Sequence, residues 1–337
     1  MFSKTTSQAP RRHKTFLSFN HHLFNVSFPS PHIPNPFKRL TSFPRIHQRS
    51  LHSPTPRYTF HHMKPLFILP FDHRSGLTRE LFQVAYPPSA AIAKKIVLLK
   101  HVIFEGFLQA YPAAQKYGDC GILVDEEFGA SILKRAKAMN IIHAVSTETS
   151  GGSTFDFVHK RGFGRALLQQ DPTYAKALVN YNFADDEHNE IKMEKLRALS
   201  EFCDAEGIPL MLEPLVHGKK SPLAMTTTMV RDMYAHGVHP SLWKLEMQKT
   251  TKDWKKLAAV AKVPMILLGH GESQRVVDEW VITAAKSGAV DGFAIGRTIF
   301  FTPIKKLLEQ SITKQQAIDA IAKNYLHYVK LWAKNTL

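Results

Sequence analysis

Leu242-Trp243-Lys244-Leu245-Glu246 is a short apolar run with one lysine at its centre. As a β-strand it alternates faces, so Leu242, Lys244 and Glu246 point one way and Trp243 and Leu245 the other. An ammonium is thereby placed inside a fold. Burial disfavours the charged form of an amine, and a neutral amine is the species that attacks a carbonyl to form a Schiff base. A lone lysine in a strand can equally pair with Glu246 or reach the rim along its methylene stem, so the flanking sequence has to decide.

Outward from this run, the chain from Met63 onward alternates short apolar segments with longer amphipathic ones. Strands are expected at residues 66–71, 121–124, 141–145, 177–181, 209–212, 242–246, 265–268 and 292–295. Between them the spacing of apolar residues predicts helices, among them 89–115, 131–139, 190–206 ending at Gly207, and 224–236 ending before Gly237 and Pro240. Eight strands alternating with helices over about 275 residues predict an α/β fold, a parallel (β/α)8 TIM barrel, which typically takes roughly 250. A doubly wound open sheet would want a glycine-rich phosphate turn after its first strand, and Asp72-His73-Arg74-Ser75-Gly76 is not one.

The placement of polar residues carries the functional expectation. Asp72, Asp125, Glu148, Glu213, Lys244 and Arg297 each fall at or just beyond the C-terminal end of a different expected strand, and in a barrel those ends form the face where active sites are built. Lys244, walled by apolar residues, is the candidate nucleophile. Glu213, one strand earlier, is the candidate general acid/base, with a plain ion pair to Lys244 as the alternative. Gly269, Gly271 and Gly296 open backbone N–H groups after strands seven and eight, where barrels commonly hold a phosphate, and Arg297 adds a charged fork. Asp72, Arg74 and Lys176 are expected to orient substrate hydroxyls or bind a second anionic end, with Asp125, Glu148 and Glu246 as further substrate-binding candidates. His270 is read as a loop residue.

Composition narrows the classes. The formal net charge is +16, but nine of the basic residues (Lys4, Arg11, Arg12, Lys14, Lys38, Arg39, Arg45, Arg49 and Arg57) precede Met63 with no acidic residue among them, leaving +7 for the rest. That excess suits an anionic small molecule, and no nucleic-acid-binding motif accompanies it. The two cysteines, Cys120 and Cys203, build neither a disulfide framework nor a metal site, which favours a reducing, cytoplasmic compartment. No run approaches the roughly 18 apolar residues of a membrane span. Residues 1–62, rich in Pro, Ser, His and Phe, are too proline-dense for a lasting helix and are expected to be a disordered basic extension. They read either as an organelle transit peptide or as sequence upstream of a true start at Met63.

Phe71-Asp72-His73-Arg74, the run from Leu123 to Gly129, the Glu148 segment, Leu212-Glu213-Pro214 and Trp243-Lys244-Leu245-Glu246 resemble the class I aldolases of the tagatose-bisphosphate aldolase family. A nearer resemblance is to the uncharacterised domain fused to 5-dehydro-2-deoxygluconokinase in bacterial myo-inositol catabolism, which shares the Trp-Lys-Leu-Glu run and an ending like Gly296-Arg297-Thr298-Ile299-Phe300. The likeness spans residues 63–337. It implies a Schiff-base lysine falling on Lys244, a glutamate acid/base falling on Glu213 and a strand-four lysine falling on Lys176. Two features depart from the aldolases: Met247-Gln248-Lys249 stand where a proline is usual, and the acidic loop Asp185-Asp186-Glu187 differs.

The resulting expectation is a stand-alone lyase that cleaves a phosphorylated ketose or keto-deoxy sugar acid, such as 6-phospho-5-dehydro-2-deoxygluconate or a ketose bisphosphate, to a three-carbon phosphate or semialdehyde. It needs no cofactor, and the strand ends lack the compact His/Asp cluster of a metal-dependent enzyme. A phosphosugar isomerase or epimerase using Glu213 as base, and a non-catalytic sugar-phosphate-binding barrel, are the alternatives. The expected partner is the phosphorylated sugar, not nucleic acid or membrane, and exposed helix faces leave room for a homo-oligomer.

Overall fold

The computed structural model describes residues 64–151 and 154–336. The basic segment 1–62 and Gly152 lie outside the described residues. Eight parallel strands close into a barrel in chain order: β1 (Leu66–Pro70), β2 (Asp119–Val124), β3 (Ile142–Ser146), β4 (Tyr174–Asn182), β5 (Leu210–His217), β6 (Leu242–Leu245), β7 (Met265–Leu268) and β8 (Gly292–Ala294). Leu66 pairs with Asp119 on one side and with Gly292 on the other, which shuts the ring. The helices are α1 (Ser75–Phe82), α2 (Ala90–Ala114), α3 (Glu126–Ala138), α4 (Phe163–Gln170), α5 (Asp186–Glu206), α6 (Pro222–Ala235), α7 (Thr251–Ala261), α8 (Gln274–Ser287), α9 (Arg297–Leu308) and α10 (Lys314–Asn335). Among the described residues no helix is long and apolar enough to cross a membrane.

Strict alternation along the strands separates two cores. Leu66, Ile68, Leu123, Ala144, Tyr174, Met211, Leu242, Ile266 and Ala294 form one cluster, the floor of the barrel interior. Their neighbours Phe67, Leu69, Ile122, Leu212, Trp243, Leu245 and Phe293 belong to the larger layer between strands and helices. Burying a side chain of this size contributes roughly 1.5–3 kcal/mol, and slipping one strand by a residue would exchange the two sets. The reading of β6 holds from Leu242 to Leu245, with Leu242 in the floor and Trp243 and Leu245 facing the helices; the strand ends before Glu246, which does not share the cavity with Lys244.

Three local features differ from expectation. Helix α3 begins at Glu126, five residues before the expected start, because the Asp125 carboxylate accepts from Phe128 N–H and caps it. Strands β4 and β5 pair over eight residue pairs, from Ala175–Leu210 to Asn182–His217. Lys176 and Glu213 therefore sit within strands, not at their flanks. Helices α1 and α4 are additions. Each is eight residues long and neither has a side-chain N-terminal cap, which is why neither leaves a start signal in the sequence.

Candidate active site

The interior alternation of β4 continues upward from Tyr174 in the floor to Lys176, Leu178 and Asn180, all of which line a cavity of about 250 Å³. Asp72 and His73 from the end of β1, Glu148 from beyond β3, Glu213 from β5 and Lys244 from β6 complete its base. Lys176 Nζ donates to Asp72 Oδ2 and Glu148 Oε1, both at 2.9 Å, and lies 3.0 Å from Glu213 Oε2. Lys244 Nζ is 2.7 Å from Glu213 Oε1. Glu213 thus spans two ammonium groups, one on each oxygen.

Electrostatics follow from that wiring. Burial alone would raise the Asp72 carboxyl, but Lys176, helped by His73 and Lys244, holds it well below the usual carboxylate range. Glu213 is likewise held down, with Lys176 and Lys244 outweighing burial. Burial works against the Lys176 ammonium too, yet Asp72, Glu148 and Glu213 together raise its pKa well above the ordinary lysine value. Glu148 goes the other way: burial pushes its carboxyl up, and the pull of Lys176 does not offset it. Two carboxyls are thus held below their ordinary values beside one that burial pushes up.

A second arm of about 160 Å³ shares His73, Leu178, Glu213 and Lys244 with the first and runs to Gly269, His270, Gly271, Gly296 and Arg297. Gly271 adopts φ +78°, a conformation that favours glycine, and a Cβ there would lie 2.6 Å from the Arg297 guanidinium carbon and push it aside. Arg297 is itself held, donating through Nη1 to Glu80 at 3.0 Å and through Nη2 to the His270 carbonyl at 2.8 Å. It is the first residue of α9, whose N-cap Gly296 offers no side-chain partner to the helix N-terminus.

The fold therefore brings together Asp72, Arg74, Glu148, Lys176, Glu213 and Lys244 in one arm, and Gly269, Gly271, Gly296 and Arg297 in the other. It does not bring Asp125 or Glu246 to the cavity. Asp125 is fully buried and committed to Lys100 of α2 and to capping α3. Glu246 accepts from Val216 N–H at 3.0 Å and stands 3.4 Å from His270 Nδ1. Both were expected to bind substrate; local capping and rim pairing take them instead.

Other lining residues were not foreseen. Burial, with Arg297 and Lys244 opposing the pull of Asp72, pushes His73 down to about 4, so it is neutral at physiological pH. Lys192 of α5 is buried, donating to the Asn180 carbonyl at 2.9 Å. Ser75 and Ser150 are bonded Oγ to Oγ at 3.0 Å on the cavity wall. Asn180 was legible from the period-2 run in β4 and His73 from its place beside Asp72. Lys192 gives no such signal, because it lies in a helix dense in charged residues.

Among solved structures, the chain is similar to a Corynebacterium glutamicum protein determined as a structural genomics target, at 17% identity and a TM-score of 0.53, covering 78% of this chain and 86% of that one. It is also similar to fructose-bisphosphate aldolase from Plasmodium falciparum, at 12% identity and a TM-score of 0.59, covering 80% of this chain and 91% of that one. Identities this low establish a shared barrel. No curated protein matches the chain. A family model matches residues 43–336, and the chain belongs to that family, the uncharacterized proteins conserved in bacteria grouped as DUF2090.

Proposed function

We propose that the chain is an aldehyde-lyase of the class I, Schiff-base type, cleaving a phosphorylated ketose or keto-deoxy sugar acid to a three-carbon phosphate or semialdehyde. The observation that carries this reading is Lys244 Nζ at 2.7 Å from Glu213 Oε1 in a cavity at the barrel mouth. A lysine nucleophile must shed a proton before it attacks. Glu213 is placed to take it, and Lys176 keeps Glu213 oriented from its other oxygen. The amine adds to the substrate ketone, water leaves, and the iminium draws electrons from the bond to be broken. Removal of the proton from the hydroxyl one carbon beyond then cleaves the C3–C4 bond and leaves an enamine on Lys244. Protonation and hydrolysis of that enamine free the second product and restore the lysine.

Arg297, the glycines of the second arm and the open N-terminus of α9 form the cradle proposed for the phosphate. The resemblance to the aldolases and to the domain linked with myo-inositol catabolism points the same way, as does the aldolase barrel among the structural relatives. The test is borohydride reduction in the presence of dihydroxyacetone phosphate, and separately of a phosphorylated keto-deoxy sugar acid, followed by peptide mass spectrometry. A reduced adduct on Lys244 is the expected result, and the compound that labels more completely identifies the substrate class. Thermal stabilisation by either compound without any adduct would overturn the lyase in favour of an isomerase or a binding protein.

A further inference from the structure

The carboxylates around Lys176 outnumber the ammonium groups that serve them. Asp72, Glu148 and Glu213 share Lys176, and among the described residues only Glu213 has a second ammonium, Lys244. The hydrogen-bonded cluster is one positive charge short. The next cation, Arg74, uses Nη2 on the main-chain carbonyl of Glu148 and not on its carboxylate. Three anions at such spacing are disfavoured, and the least costly relief is for one of them to keep its proton.

The geometry selects which one. Glu213 has an ammonium on each oxygen. Glu148 reaches Lys176 through Oε1 alone, while its Oε2 is buried with no hydrogen-bond partner among the described residues, in a residue only 7% exposed that lines the cavity. A bare carboxylate oxygen in that position is costly, and a proton converts it into a donor. The groups facing Glu148 are Lys176, Asp72 and Arg74; burial and Asp72 together outweigh the two cations in raising its carboxyl.

We propose that Glu148 is a second catalytic acid of this site, a neutral carboxylic acid that gives its proton to an oxygen of the bound substrate once the carboxyl turns toward the cavity it lines, while Glu213 serves as the base. On the lyase reading, on which this rests, the protons balance. Glu213 takes one from the Lys244 ammonium. The free amine adds to the ketone, its N–H proton moving to the oxygen to form the carbinolamine. Glu148 then protonates that hydroxyl, the C–O bond breaks, water leaves with the bonding pair, and the nitrogen lone pair closes the iminium. Glu148 is now ionised and Glu213 protonated. Lys176, hydrogen-bonded to the one and in contact with the other, hands a proton to Glu148 as it receives one from Glu213. The net change is ketone plus ammonium to iminium plus water.

The test compares the full chain with its Glu148→Gln variant by infrared difference spectroscopy near pH 7 without ligand. The expected result is a protonated-carboxyl C=O band, shifted in D2O, in the wild type and its loss in the variant. Absence of the band in the wild type, or its persistence in Glu148→Gln, overturns the proposal even if Lys244 labels normally. A second arm follows the rate of borohydride trapping with dihydroxyacetone phosphate against pH. Wild-type trapping should slow as pH rises through the elevated Glu148 value. Glu148→Gln should be about 10²-fold slower and lack that limb, with a melting temperature no lower than wild type because glutamine mimics the neutral acid. Equal trapping rates in the two proteins overturn the donor role. Failure of the lyase reading looks different: the infrared band is intact but no adduct forms on Lys244, which supports the protonated Glu148 while removing the reaction assigned to it.

Discussion

Two buried lysine–carboxylate groups in this barrel follow opposite designs. Lys100 of α2 meets Asp125 outside the strands, with side-chain exposures of 0% and 1%. The other Asp125 oxygen caps α3 through Phe128 N–H at 2.8 Å, and the Lys100 ammonium lies 5.5 Å from the Phe128 ring centre. One cation meets one anion, both fully buried. Inside the barrel mouth, by contrast, Lys176 and Lys244 serve three carboxylates across an open cavity. A closed, balanced pair fastens a helix to the barrel. An over-subscribed group that faces a cavity leaves protons free to move, which is what acid–base chemistry requires.

The comparison breaks most sharply at Lys244. Lys244→Met should lower turnover by at least about 10⁴-fold, as expected for loss of a covalent nucleophile, and abolish borohydride labelling. The fold should persist, since Glu213 keeps Lys176; steady-state kinetics beside a circular-dichroism melt checks both halves. Lys100→Met should do the reverse. It leaves the Asp125 carboxylate buried without its cation, a loss of about 3–5 kcal/mol visible as a lower urea midpoint, while activity per folded molecule stays near wild type.

A smaller effect separates the two groups by pH. The folded-state pKa of Asp72 lies below its ordinary 3.8, so its stabilisation is complete above that value and is lost as pH falls through the folded-state pKa. For Lys176, raised above 10.5, the stabilisation is complete below 10.5 and is lost as pH climbs through its folded value. Urea midpoints measured from pH 7 downward should therefore fall below about pH 4, and Asp72→Asn should flatten that fall by about 2 kcal/mol, the size of one paired carboxylate. Smallest of all is the double variant Lys100→Met with Asp125→Asn. Asparagine still caps α3 and carries no charge to strand, so the midpoint should return to within about 1–2 kcal/mol of wild type. Failure to recover would mean that Lys100 contributes mainly through its packing against Phe128.

The site was legible where it depends on local register. Lys244 faces inward because it sits two residues from the floor residue Leu242, and two-residue periodicity is written in the chain itself; Lys176, expected just ahead of its strand, faces inward because β4 begins at Tyr174. The glycines and Arg297 were legible from their place just after β7 and β8. Asp125 shows where this reasoning stops. It stands two residues after the floor residue Leu123, yet the first turn of α3 and a lysine 25 positions upstream draw it out of the cavity.

By itself the sequence determined the alternation of eight strands with helices, the inward placement of Lys244 and the residue types gathered at one end of the barrel. These follow from periodicity, and periodicity acts over a few residues. Only the tertiary structure decided which charges meet. Asp72 and Lys176 are 104 positions apart, Glu148 and Lys176 are 28, and Glu80 and Arg297 are 217; such contacts exist only after the ring has closed. The same closure buries Lys192, leaves Glu148 Oε2 without a partner and places Glu213 between two lysines, because the desolvation and charge balance that set these roles depend on neighbours brought in from distant strands.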